Sequence, residues 1–192
     1  KYKITMTLKK INNDKYKILA IFILSILVDY LLFINHNPPG WDQGYHLSNA
    51  FKMSNIISRN DLNFISKLNS ILNVTDSYRG PLTYLLTSIF LKFKNSYTIA
   101  YLSNHIFSLI TILSIRELNK EINPKQTSIL AILLFIFNPL IVSQRTDYLI
   151  DISATSFYTL NILFLTKWFL DNQRISKYSA ISGISIGLTF LV

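Results

Sequence analysis

The chain has no cysteine, which excludes disulfides and thiolate metal sites from its chemistry. Acids are scarce as well: 10 Asp and Glu stand against 19 Lys and Arg, leaving a net charge of +9 over 192 residues. The basic excess forms no Arg/Lys stripe interleaved with exposed aromatics, so it gives no argument for nucleic acid as a partner. No small-residue cleavage motif follows the first apolar run, which is also longer than a signal-peptide core, so that run reads as a retained anchor. No inverted repeat is evident among the apolar segments.

Apolar length is what the chain has in quantity. Half the residues are hydrophobic, and the mean hydropathy is +0.32. A helix needs about 20 apolar residues to cross a bilayer, with roughly 17 to 25 tolerated. Five segments approach that length, at about 18–34, 97–115, 128–142, 150–170 and 178–192, and a polar outer loop occupies 35–96. Pro81 to Phe93 is apolar too, but its dozen or so residues reach roughly 18 Å against a hydrocarbon core of roughly 30 Å. It reads as a helix in the interface. The expected fold class is all-α: a polytopic transmembrane helical bundle with amphipathic juxtamembrane helices in the first outer loop. The fifth span runs to Val192 without a polar flank, and no methionine precedes Lys1. The expectation is the N-terminal part, 1–192, of one membrane domain whose C-terminal remainder is missing.

Charge orients these spans, because short cytoplasmic segments collect Lys and Arg. With Pro81 to Phe93 on the outer surface, twelve of the nineteen basic residues fall on cytoplasmic segments: the tail to Lys17, the loop of Arg116, Lys120 and Lys125, and the loop of Lys167, Arg174 and Lys177. Asp42 and Asp151 then face the same compartment. If that segment crossed, they would lie on opposite sides.

The outer loop carries structure of its own. Leu47, Phe51, Ile56 and Ile57 recur at near-helical spacing, which predicts an amphipathic helix lying on the membrane, and a second, weaker helix covers Leu62 to Ile71. Asn73-Val74-Thr75 is a glycosylation triplet of the kind that also arises by chance.

Asp42 lies in Trp41-Asp42-Gln43-Gly44-Tyr45-His46, just after the turn-prone Pro38-Pro39-Gly40. If a helix starts at Asp42, the acid is its N-cap, with Tyr45 and His46 on the same face at i+3 and i+4. A capping aspartate among interface aromatics explains these residues as simply as a site does. Asp147 and Asp151 flank Tyr148 in Arg145-Thr146-Asp147-Tyr148-Leu149-Ile150-Asp151, where a dipole-complementing turn is the plain reading. Asp151, past Leu149-Ile150, lies closer to the hydrocarbon than a turn requires. Asp29, Asn104 and His105 interrupt the first two spans; such groups often satisfy each other. Asn138-Pro139 predicts a kink in the third span. His36, His46 and His105 lack a ligand-like spacing with the acids, so no metal and no cofactor is expected.

The order of these features resembles the GT-C superfamily of polytopic glycosyltransferases, in the branch of protein O-mannosyltransferases and the aminoarabinose transferase of lipid A. Four features carry it: the first-loop acid in Trp41-Asp42-Gln43-Gly44-Tyr45-His46-Leu47, the segment Tyr78-Arg79-Gly80-Pro81-Leu82-Thr83-Tyr84, the acid ending Tyr148-Leu149-Ile150-Asp151, and the Gly-rich span from Gly183 to Leu191. Family members often have Asp-Glu where this chain has Asp42-Gln43.

The resemblance implies an inverting transfer of a hexosyl or pentosyl unit from a polyprenyl-phosphate sugar donor to a hydroxyl on a lipid, glycan or protein acceptor. It implies Asp42 as general base and Asp151 as the residue orienting acceptor or base. Arg79 and Arg145 become outward-facing candidates for the phosphate, which a guanidinium grips bidentately. Tyr45, His46 and Tyr148 become sugar or acceptor contacts. It also implies an integral, multi-pass protein of a prokaryotic plasma membrane, in contact with membrane lipids and with its site facing outward. Two other classes remain open on the residues alone: a transporter with Asp29, Asn104 and His105 along a polar path, and a non-catalytic membrane scaffold.

Overall fold

The computed structural model describes residues 2–31, 40–75, 80–123, 128–171 and 177–192, with residues 2–13 and Trp41 in backbone only. Among the described residues every regular element is helical: α1 (Tyr2–Asp29), α2 (Trp41–Ser58), α3 (Phe64–Leu72), α4 (Leu82–Leu91), α5 (Tyr97–Ile122), α6 (Ile129–Ile136), α7 (Pro139–Thr146), α8 (Asp151–Leu170) and α9 (Lys177–Phe190). The expected all-α class is found. Among the described residues, α5 alone is long and apolar enough to cross a bilayer by itself, and α6 and α7 qualify only as a pair.

α5 organises the packing, because each stretch of it enters a different cluster. Its first turns place Ala100 and Tyr101 with Leu47, Ala50 and Met53 of α2 and Tyr84 of α4. Phe107 then packs with Ile152 and Phe157 of α8, and Ile112 with Ile18 and Phe22 of α1 and Ile132 and Ile136 of α6. Ser96 starts this helix by accepting from the Ile99 amide at 3.4 Å, which satisfies one of the amides that a helix N-terminus leaves without an internal partner.

The break between α6 and α7 is bridged by side-chain hydrogen bonds. Pro139 restricts Asn138 to an extended conformation (φ −63°, ψ 125°), and the two helices meet at 58°. In an unbroken helix the Leu140 amide would donate to the Ile136 carbonyl. It donates to Asn138 Oδ1 instead, at 2.9 Å, and the freed Ile136 carbonyl accepts from both terminal nitrogens of Arg145 at 3.4 Å. The kink expected at Asn138-Pro139 is present, and a side chain takes up what it frees.

Charge separates the two ends of the bundle. Lys167 of α8 pairs with Glu121 of α5 at 3.4 Å, and Lys15 of α1 lines one small pocket with Arg116 of α5. At the other end Asp29 closes α1 against His105, and Asn104 donates to the Leu149 carbonyl before α8 at 3.4 Å. α1 therefore runs antiparallel to α5, while α5 and α8 run parallel. Lys15, Arg116, Glu121 and Lys167 gather at one end, and the beginnings of α2, α4 and α8 at the other.

The outer-loop helices differ from expectation in which one is left bare. Leu47 of α2 is buried under α4, with Phe51, Ile56 and Ile57 packed against the same cluster. α3 instead exposes Phe64, Ile65, Leu68 and Leu72. α2 has a helix to cover its apolar face and α3 does not; periodicity cannot distinguish the two cases.

Candidate active site

α2 starts two residues earlier than a cap at Asp42 would require. Gly40 is the N-cap, with φ −62° and ψ 175°, and its amide donates to Gln43 Oε1 at 2.8 Å. Gln43, the residue that departs from Asp-Glu, thus closes the helix start. Asp42 occupies the first turn, where the helix dipole favours a carboxylate, and its side chain is 52% exposed.

One turn later His46 is 2% exposed. Its Nδ1 meets the Tyr84 hydroxyl at 2.6 Å, and its Nε2 faces Asp42 Oδ1 at 3.6 Å. The imidazole stacks on the Tyr84 ring at 5.8 Å, and Tyr45 approaches it edge-on at 5.7 Å. His46, expected as a sugar or acceptor contact, is buried and links the acid to α4.

α4 holds this arrangement through a buried hydroxyl face. Thr83 Oγ1 bonds Ser153 Oγ of α8 at 2.6 Å, and Thr87 Oγ1 bonds Ser103 Oγ of α5 at 2.7 Å. Small hydroxyl residues let helices approach closely in this way. The start of α4 is fixed as well: the Leu82 amide donates to the Leu191 carbonyl at 3.0 Å, and a Cβ on Gly80 would lie 2.0 Å from that same oxygen.

The second acidic motif arrives at α4 from α8. Asp151 is exposed in the first turn of α8, two residues before Ser153, so α4 lies between the acids' two helices. Its exposure fits a dipole-complementing position. Tyr148, expected as a substrate contact, is fully buried in the cluster with Tyr84, edge-on to Tyr101 at 6.2 Å. Its φ of 54° is left-handed, a conformation that costs a bulky residue roughly 1–2 kcal/mol. Its hydroxyl makes no hydrogen bond of normal geometry among the described residues, and burial pushes the phenol pKa up.

Arg145 corrects the expectation of an outward-facing phosphate ligand. It is 1% exposed, as is Asp29, and its Nε donates to Asp29 Oδ2. His105 Nε2 reaches the same oxygen at 2.9 Å. Asp29 of the first span and His105 of the second therefore pair with each other, with Arg145 as a third member. Beside them opens a pocket of about 540 Å³, lined by Val28, Asp29, Phe137, Pro139, Val142, Ser143, Thr146 and Asp147. Arg79 lies outside the described residues.

Sequence reasoning missed Tyr84 and the pocket. A buried face was legible in Thr83, Tyr84, Thr87 and Ser88, spaced as one side of a helix, but nothing local pairs Tyr84 with a histidine 38 positions away.

Comparison of the sequence with known families makes this helical protein a membrane glycosyltransferase of the GT-C type. The chain belongs to the dolichyl-phosphate-mannose-protein mannosyltransferase family, whose sequence profile matches residues 78–192, or 115 of its 192 residues. The match takes in α4 to α9 and Asp151; α2 and Asp42 precede it. No curated protein and no solved structure matches the chain.

Proposed function

We propose that the protein transfers a sugar from a polyprenyl-phosphate donor to an acceptor hydroxyl at the outer membrane face, with inversion, and that Asp42 is the general base. The observation that carries this reading is the Asp42 carboxylate: exposed, in the first turn of α2, and backed by His46 and Tyr84. Asp42 takes the acceptor proton as the acceptor oxygen bonds to the anomeric carbon. The bond from that carbon to the phosphate oxygen breaks, and polyprenyl phosphate leaves. A positioned base of this kind contributes roughly 10²- to 10⁴-fold.

Asp151, on the far side of α4, orients the acceptor. Tyr45, half-exposed beside the imidazole, is the aromatic placed to contact sugar. Arg79, just before the start of α4, remains the candidate cation for the leaving phosphate, because Arg145 is occupied by Asp29 and the Ile136 carbonyl. Tyr148 shapes the wall behind Tyr84. The apolar part of the 540 Å³ pocket, formed by Val28, Phe137, Pro139 and Val142, suits an isoprenoid chain. The basic ends of α1, α5 and α8 orient the acidic corner outward by the positive-inside rule, in a multi-pass arrangement. Asp29 and His105 hold each other and Arg145, which leaves the transporter reading without its polar path.

A donor panel tests the proposal. Membranes containing the complete protein are offered polyprenyl-phosphate hexoses and pentoses beside nucleotide sugars. The expected result is transfer from a polyprenyl-phosphate sugar alone; transfer only from nucleotide sugars would overturn the donor assignment.

A further inference from the structure

Asp42 is a short side chain on an exposed helix turn, and a half-exposed carboxylate samples several rotamers. A base, however, must hold one oxygen towards the proton it takes. The side chain that limits this freedom is already in place. His46, one turn along the same helix, keeps Nε2 at 3.6 Å from Asp42 Oδ1, and its ring cannot swing away, being buried and stacked on Tyr84.

The Tyr84 hydroxyl fixes what that nitrogen presents. Neutral imidazole has one donor and one acceptor nitrogen, and the partner of one sets the role of the other. In the tautomer in which the phenol donates to Nδ1 across 2.6 Å, the ring proton is on Nε2 and faces the carboxylate. The separation of 3.6 Å lies just beyond a hydrogen bond, and such contacts commonly tighten when substrate binds.

We infer that His46 and Tyr84 form a positioning pair: Tyr84 sets the His46 tautomer, and His46 Nε2–H engages Asp42 Oδ1, so that Oδ2 is the oxygen that takes the acceptor proton. His46 takes up no proton in this scheme, since Nε2 already carries one. The proton from the acceptor stays on Asp42, whose link to His46 weakens as its charge is lost, favouring release after transfer. The inference rests on Asp42 being the base.

Amide substitutions separate the two arms of the imidazole. His46→Gln keeps a donor near the Nε2 position, facing Asp42; His46→Asn keeps a polar group near Nδ1, facing Tyr84, and gives up the arm to the acid. In the complete protein, kcat and KM for sugar transfer are measured for both, with Tyr84→Phe, Asp42→Asn and thermal unfolding alongside. The expected result is a kcat about 10-fold or more lower for His46→Asn at unchanged KM and melting temperature, with substantial recovery in His46→Gln. Tyr84→Phe should lower kcat in the same direction. Equal losses in the Asn and Gln variants, or a fall in kcat matched by a fall in melting temperature, would reduce His46 to a packing residue and overturn the inference. If Asp42→Asn is inactive while His46→Asn keeps wild-type kcat, the positioning pair fails and the base assignment stands. If Asp42→Asn retains full transfer, the base assignment fails and the pair falls with it.

Discussion

Two buried polar arrangements with different consequences are visible at the scale of single residues. Asp29, His105 and Arg145 are fully enclosed and share one carboxylate oxygen. Removing one partner from such a group leaves an uncompensated charge and typically costs about 3–5 kcal/mol. Arg145→Met should therefore lower the melting temperature in detergent strongly, and Asp29→Asn combined with it should recover part of the loss. Additive losses in the double variant would contradict the pairing. Tyr148 gives the opposite expectation, because its buried hydroxyl has the Thr87 side chain beside it but makes no hydrogen bond of normal geometry among the described residues. Tyr148→Phe should leave the melting temperature unchanged or raise it, as removing an unsatisfied polar group does. The sequence made Asp29 and His105 conspicuous as ionisable groups inside apolar runs. That Arg145 joins them was not legible, because it depends on the bend at Pro139, which turns α7 inward and leaves a carbonyl for its guanidinium.

The elements of this fold are shaped by their ends. Asn138 caps α7, and Asn138→Ala should cost about 1 kcal/mol, measurable as a lower unfolding midpoint. Gly80 has no room for a Cβ because the Leu191 backbone lies against it. Gly80→Ala should shift the start of α4 and destabilise by about 1–3 kcal/mol; unchanged stability would mean that α9 and α4 do not meet as described. Apolar length identified α5 and α8 from sequence, and the kink fell where proline and asparagine placed it. The fate of amphipathic helices was less legible. α2 and α3 both show an apolar stripe, and only the presence of α4 above one of them decides that Leu47 is core while Phe64 and Ile65 are exposed.

Polarity is the organising property of the whole molecule. The ion pair of Lys167 with Glu121 marks one end, and Asp42, Tyr84 and the start of α8 mark the other, with exposed Leu24, Leu27, Leu134 and Leu165 on the helices between. Exposed apolar surface on this scale suits lipid rather than water. The absence of cysteine makes the arrangement easy to test. An impermeant maleimide added to intact cells should label Ser48→Cys, on the exposed side of α2, and should reach Lys120→Cys only after permeabilisation. Labelling of both from outside would contradict the orientation. At this scale the positive-inside count led the sequence reading to expect Asp42 and Asp151 in one compartment. It could not show that α4 stands between their helices, since that depends on hydroxyl pairs between residues 16 and 70 positions apart.

The most direct test of the central claim, that the acid at the start of α2 drives sugar transfer, is the initial rate of transfer from the preferred polyprenyl-phosphate sugar. Wild type and Asp42→Asn, in the complete protein, are compared at matched expression and matched melting temperature. The account predicts a fall of at least about 100-fold in kcat for the variant; transfer at the wild-type rate would contradict it.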